Sequence, residues 1–183
     1  MVYLVCVDVG VKNLGLCIVD LDDMSLAKWE RVSLYASSKY VPSNNVAYCR
    51  QLVQDNKHYF DNAHVIVIEK QIRANMRIIE SVLQAMFYDK TLIVHARHVK
   101  MHFDLCMRNY RLNKMKAVEF VDNQIKTNNL PFKHTELQHQ CWEAEHKKDD
   151  LADSMLLALY YCSTYSSNAE SGSNDRILVE PTC

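Results

Sequence analysis

The stretch Val2–Asp20, reading VYLVCVDVGVKNLGLCIVD, constrains the fold more than any other part of the chain. Val2, Leu4, Val5, Cys6 and Val7 form a nearly continuous apolar run, the pattern of a strand buried on both faces. The run ends on Asp8. A tight turn through Gly10 and Gly15 follows, and Leu14, Leu16 and Ile18 resume as a second strand of alternating character. Two of the chain's three glycines stand in this turn, which marks backbone positions with special dihedrals or a close approach. An acid at the end of a central apolar strand is costly to bury unpaired. A metal ion or a phosphate gives it a reason; capping of a hairpin turn is the other reading, and this stretch alone does not separate them.

With 183 residues, 49% of them apolar, the chain is long enough for one domain with a sizeable core. No stretch approaches a membrane span, and no charged-then-apolar leader is visible. The seven cysteines (6, 17, 49, 106, 141, 162 and 183) form no CxxC pair and several lie in apolar runs, so they read as thiols in a reducing compartment. A net charge of −1 excludes little, because basic residues clustered on one face suffice for binding nucleic acid.

Further along, Asp20, Asp22 and Asp23 read as a solvated turn, Ser25–Ser33 as a third strand completing a meander, and Ser37–Asn45 as a polar link. Val46–Phe60 carries a helical signal. Ala63–Glu69 is a second apolar run that ends in an acid. Arg73–Tyr88 places Met76, Ile79, Val82, Leu83, Met86 and Phe87 at helical spacing, and Thr91–His95 is a fifth strand. The order is mixed α/β with a central sheet. His95–Lys116 is basic, with Arg97, Lys100, Arg108, Arg111, Lys114 and Lys116 against the single acid Asp104. Met115–Lys126 reads as a helix, Thr127–Lys148 as polar and irregular, and Asp149–Tyr161 as a helix with an acidic first turn. Residues 1–162 are expected to form one domain and 163–183 a loose tail.

Two buried strands thus end in acids, Asp8 and Glu69, and one helix opens with Asp149, Asp150 and Asp153. Asp150 and Asp153 share a helix face. Four converging carboxylates repel unless a hard divalent cation relieves them, and Mg²⁺ or Mn²⁺ prefers oxygen ligands. Two such ions about 4 Å apart activate water and stabilise the leaving oxygen of a phosphodiester. For Asp149 and Asp150 the plain alternative is an N-cap with a helix-dipole partner.

The pattern Val-Asp-Val-Gly-Val-Lys-Asn-Leu-Gly, then Val-Ile-Glu-Lys-Gln, then Lys-Lys-Asp-Asp-Leu-Ala-Asp-Ser resembles the RuvC-type Holliday junction resolvases of the ribonuclease H-like superfamily. It is most similar to the group of poxviruses, iridoviruses and fungal mitochondria, over roughly Val2 to Tyr161. The resemblance implies a ribonuclease H-like fold: a central mixed five-stranded sheet, antiparallel meander plus parallel strands, flanked by helices. It implies the catalytic and metal-binding acids Asp8, Glu69, Asp150 and Asp153, with Asp149 a secondary candidate, and a basic residue that is either Lys114 or Lys116. Gln71 also fits the viral and mitochondrial branch. The resemblance further implies two Mg²⁺ ions per subunit, with Mn²⁺ as substitute and no small-molecule cofactor. The protein would be a homodimer, with Arg73–Tyr88 at its interface, that nicks a four-way DNA junction symmetrically and leaves ligatable 5′-phosphates. Lys12, Lys70, Gln71, Arg73, Arg77, Arg108, Arg111, Lys114 and Lys116 are then candidates for DNA contacts. The expected setting is intracellular and off the membrane, at a viral replication site in host cytoplasm, with nucleus or mitochondrion as alternatives. Three other readings compete: an actin-like ATPase, for which one domain is too few; a DNA-binding module without chemistry; and a nuclease acting on flaps or RNA–DNA hybrids. His134, His139, Cys141 and His146 fit no common zinc spacing.

Overall fold

The protein is described from a computed structural model, which covers residues 1–36 and 39–165. Five strands form one sheet in the order β3-β2-β1-β4-β5: β1 (Tyr3–Asp8), β2 (Leu14–Asp20), β3 (Ser25–Val32), β4 (Ala63–Glu69) and β5 (Thr91–Val94). β1–β2 and β2–β3 are antiparallel, whereas β1–β4 and β4–β5 are parallel. The expected meander and mixed sheet are therefore present. The first strand sits at the centre, and its C-terminal end lies alongside that of β4.

Helices cover both faces of the sheet. On one lie α1 (Asn45–Asp55), α2 (Lys57–Asp61) and α3 (Ala74–Met86). On the other lie α4 (Ala96–His102), α5 (Tyr110–Lys126), α6 (Glu136–Ala144) and α7 (Lys148–Tyr165). The two-residue period of β1 splits its side chains between two cores. Tyr3, Val5 and Val7 join Cys49, Leu52, Phe60, Ile79 and Leu83, while Leu4 and Cys6 join Val121, Leu151, Met155 and Leu156. β2 reads as alternating in sequence but is buried from Leu14 to Val19, because helices close over both its faces. Cys6, Cys17 and Cys49 are buried free thiols within these cores.

Several elements differ from their sequence reading. The single helix expected over Val46–Phe60 is two, broken at Asn56, whose side-chain amide turns back to the Leu52 carbonyl. α5 begins at Tyr110 rather than Met115, since the Asn109 side chain accepts from the Arg111 amide and caps the helix. The region expected to be irregular contains α6. Its start is a reciprocal cap: Thr135 Oγ1 accepts from the Gln138 amide while the Gln138 side chain accepts from the Thr135 amide. α7 continues through Ser163–Tyr165, so these three residues are helical and not tail; the rest of the expected tail lies outside the described residues.

Trp142 of α6 is fully buried and stacks on Trp29 of β3, ring centroids 5.1 Å apart. The Trp29 indole N–H donates to the Leu151 carbonyl at 3.0 Å, tying the meander to the first turns of α7. Trp29→Phe keeps a ring for the stack but removes that donor. It is expected to lower stability by about 1 kcal/mol, the net worth of one such hydrogen bond, as read by denaturant unfolding.

Candidate active site

The acids converge because of how three elements end. Asp8 and Glu69 are the last residues of two adjacent parallel strands, whose paired residues stop at Val7 opposite Ile68. Asp150 and Asp153 approach them from the first turns of α7, and this approach requires Gly15. A Cβ on Gly15 would overlap the Asp150 carbonyl oxygen and stand 3.1 Å from Ser154 Cβ. The close approach expected of this glycine is thus a contact between β2 and the helix that carries two of the acids.

Electrostatics show that the four carboxylates feel one another. Burial raises the Asp8 carboxyl well above its usual range, and Glu69, Asp153 and Asp150 push it further. Glu69 is raised to about 7, first by burial and then by Asp153, against the opposing pull of Lys100, Lys114 and Gln71. Asp150 is raised to about 6, by burial and by Asp149. Burial also raises Asp153, with Lys100 opposing it. Desolvation and like charge act in the same sense here, the combination that marks functional carboxylates.

Asp149 stands apart. Burial works to raise it, but its ion pair with Lys114 prevails and its carboxyl is lowered. Lys114 answers in kind: burial lowers it, and Asp149 carries it above its ordinary value. Of the two adjacent acids, Asp150 faces Asp8 and Asp149 is held by a lysine. Of the two candidate lysines, Lys114 is in contact with the acidic helix, while Lys116 is half-buried with no ion pair among the described residues.

The sequence reading passed over Lys100. It is buried in α4 with its ammonium 3.1 Å from Asp153 Oδ1, and its charge also reaches Glu69 and Asp8. A signal was available. Ala96, Val99, Lys100 and Phe103 follow the i, i+3, i+4, i+7 spacing of one helix face, with a lysine in an apolar position.

Whether these residues suit divalent cations can be judged from the acids themselves. Asp150 Oδ2 is buried without a hydrogen-bond partner, Asp153 Oδ1 meets only the Lys100 ammonium, and every donor in the cluster is a hard oxygen. The chemistry fits Mg²⁺ or Mn²⁺. As they stand, the carboxylates are gathered rather than closed on a common point: among the described residues no three His, Cys, Asp or Glu side chains form a ready ligand set. His134, His139, Cys141 and His146 form none either; His139 lies 3.9 Å from both Glu136 and Glu143.

Most of the other expected contact residues lie at the surface. Lys12 is exposed in the turn after β1, and Lys70, Arg73, Arg77, Arg108 and Arg111 are all exposed. Gln71 is half-buried, its side chain donating to the Glu69 carbonyl at 3.1 Å while its amide donates to Glu80. α3 buries Ile79 and Leu83 but leaves Ile78 and Met86 exposed, beside an open groove lined by Arg77, Ser81, Val82 and Ala85.

A family model described as "Poxvirus A22 protein" matches residues 2–164. No curated protein sequence matches the chain. Among solved structures, the fowlpox virus resolvase in complex with substrate Holliday junction DNA is similar at 20% identity and a TM-score of 0.64, covering 88% of this chain and 97% of that one. The RuvC of Thermus thermophilus is similar at 14% identity and a TM-score of 0.53, covering 88% and 95%. The human cytomegalovirus terminase nuclease domain, soaked with Mn, is similar at 13% identity and a TM-score of 0.50, covering 87% and 83%. At these identities the likeness is one of fold.

Proposed function

The chain belongs to the poxvirus A22 protein family, and on that premise we propose that it is a Holliday junction resolvase, a structure-selective endodeoxyribonuclease that cuts four-way DNA junctions. The observation that carries this reading is the four-acid cluster, in which Asp8, Glu69, Asp150 and Asp153 arrive from two strand ends and one helix and raise one another's proton affinity. Such a cluster is unfavourable in isolation and useful around divalent cations. The fowlpox structure in complex with a junction supports the choice of substrate, and the Mn-soaked terminase domain supports the choice of metal.

In this reading Asp8, Glu69, Asp150 and Asp153 hold two Mg²⁺ ions per subunit, or Mn²⁺ in their place. When bound, these ions supply charge compensation for the phosphodiester and an activated water for in-line attack at phosphorus. The protein's own groups do the rest. Glu69 and Asp150 must give up protons before they ligate. Lys100 holds the Asp153 carboxylate in place, and Lys114 fixes Asp149 so that the first turn of α7 presents Asp150 to the cleft. Both lysines leave a positive field where charge grows on the phosphoryl oxygens. Lys12, Arg73, Arg77, Arg108 and Arg111 take phosphates of the arms, which gives affinity and register rather than sequence readout. The exposed apolar edge of α3 pairs with that of a second copy, so that two clusters face the two symmetry-related strands. The match to a poxvirus family supports activity at replication sites in host cytoplasm.

The test is cleavage of a synthetic four-way junction, a flap, a linear duplex and an RNA–DNA hybrid, each with and without Mg²⁺. Paired symmetric nicks confined to the junction are the expected result. Preference for the hybrid would move the function to a ribonuclease, and junction binding without cleavage in Mg²⁺ or Mn²⁺ would leave a binding module.

A further inference from the structure

The two sides of the carboxylate cleft differ in how their cations are used. Toward α7, three cations have a carboxylate of their own: Lys100 pairs with Asp153, Lys114 with Asp149 and Arg31 with Glu145. On the β5 side the arrangement is reversed. Glu69 pairs with Val94 in the parallel β4–β5 ladder, so Lys70 and His95 leave the sheet side by side, and the Lys70 amide donates to the Val94 carbonyl at 2.8 Å. His95, Arg97 and His98 follow on the exposed side of α4, opposite Val99 and Lys100, which face inward. The His95 and His98 rings lie 5.7 Å apart. After burial, the influences that lower His95 are His98, Lys70 and Arg97, all of one sign. Among the described residues no carboxylate is within ion-pair distance of Lys70 or Arg97.

Like charges gathered without a counterion are unfavourable, and the geometry makes the group specific for an anion. The Arg97 amide donates to His95 Nδ1 at 3.4 Å, which fixes Nδ1 as acceptor and leaves Nε2 to donate outward. We propose that Lys70, His95, Arg97 and His98 form a phosphate-binding subsite that holds the DNA backbone where it leaves the carboxylate cleft across β5. This rests on the reading of the chain as a junction nuclease and adds to it a direction: the bound strand runs from the acids over the β4–β5 edge, not only along α5. One residue, Glu69, separates chemistry from grip, so the subsite holds a phosphate near the scissile one and fixes the strand's register relative to Asp8.

Salt dependence of binding tests this in a way that cleavage does not. Dissociation constants of the full chain for a four-way junction are measured in EDTA over a range of salt concentrations. Each phosphate contact contributes about 0.9 to the slope of log K against log salt. Lys70→Ala and Arg97→Ala are each expected to reduce the slope by about 1, equally on junction and linear duplex, and Arg97→Lys to restore it. His98→Ala is expected to weaken binding. Lys57→Ala, at the opposite end of the sheet and paired with Asp61, is the control and leaves the slope unchanged. The altered side chains are exposed, and an unchanged melting temperature verifies the fold. An unchanged slope in the Lys70→Ala/Arg97→Ala double variant overturns the subsite. Failure of the wild-type chain to bind the junction overturns the functional reading instead.

Discussion

Asp8→Asn is expected to reduce Mg²⁺-dependent junction cleavage by about a thousand-fold or more and, in the absence of metal, to make the protein more stable above neutral pH. The first effect follows from the position of Asp8 at the end of the central strand, where Glu69, Asp153 and Asp150 all act on it; losing a group that stabilises charge in the transition state costs about 3–4 kcal/mol. The second follows from the same charges. An acid whose folded-state pKa is raised binds more protons folded than unfolded, so its contribution to stability is fully present below the unfolded value and is lost as pH rises through the interval up to the folded value. For Glu69 that interval runs from 4.5 to about 7, and for Asp150 from 3.8 to about 6. At about 1.4 kcal/mol per pH unit, the Glu69 shift amounts to about 3 kcal/mol. Metal-free protein should therefore melt at progressively lower temperature between pH 4.5 and 7. Asp8→Asn removes one of the repelling charges and flattens the decline, and Mg²⁺ flattens it for the wild type. Thermal melts across pH in EDTA and in Mg²⁺ measure both. A wild-type melting temperature that rises over this range in EDTA would show that the acids are not in contact as described, and retained cleavage by Asp8→Asn would remove it from the chemistry.

Gly15→Val carries the second large expectation. Even the first carbon of a side chain at this position overlaps the Asp150 carbonyl, and backbone gives way less readily than a flexible side chain. Overpacking of this kind costs typically 1–3 kcal/mol and more where backbone must move; about 3 kcal/mol is expected here. Because the displaced element is the first turn of α7, activity should fall further than the unfolded fraction accounts for. Denaturant unfolding gives the first quantity, and the cleavage rate of the folded fraction gives the second. A Gly15→Val protein with wild-type stability and rate would mean that α7 does not rest on β2.

Much of this was legible in the sequence, for identifiable reasons. Strand β1 is an apolar run with an acid at its end, and β4 repeats the form. Gly15 declared itself by scarcity, and the i, i+3 spacing of Asp150 and Asp153 put them on one face of a helix. What the sequence left open depends on packing. Adjacent acids look alike in a string of letters, and only the Lys114 pairing separates Asp149 from Asp150. Lys100 escaped notice because a lysine in a basic stretch reads as solvated, whereas here its helix turns it inward toward Asp153. α6 was hidden because its apolar content is slight; its cap, Thr135 with Gln138, was the readable signal. The burial of both faces of β2 depends on helices far away in the chain, which no local pattern encodes.

Helix α7 closes one entire core, from Leu151 through Tyr161 against β1, β2 and β4. It is also the last described element of the chain and the bearer of Asp150 and Asp153. Docking of this one element therefore completes that interior among the described residues and brings in two of the four acids proposed to hold metal, so that, on the proposed function, closing the core and completing the site are coupled.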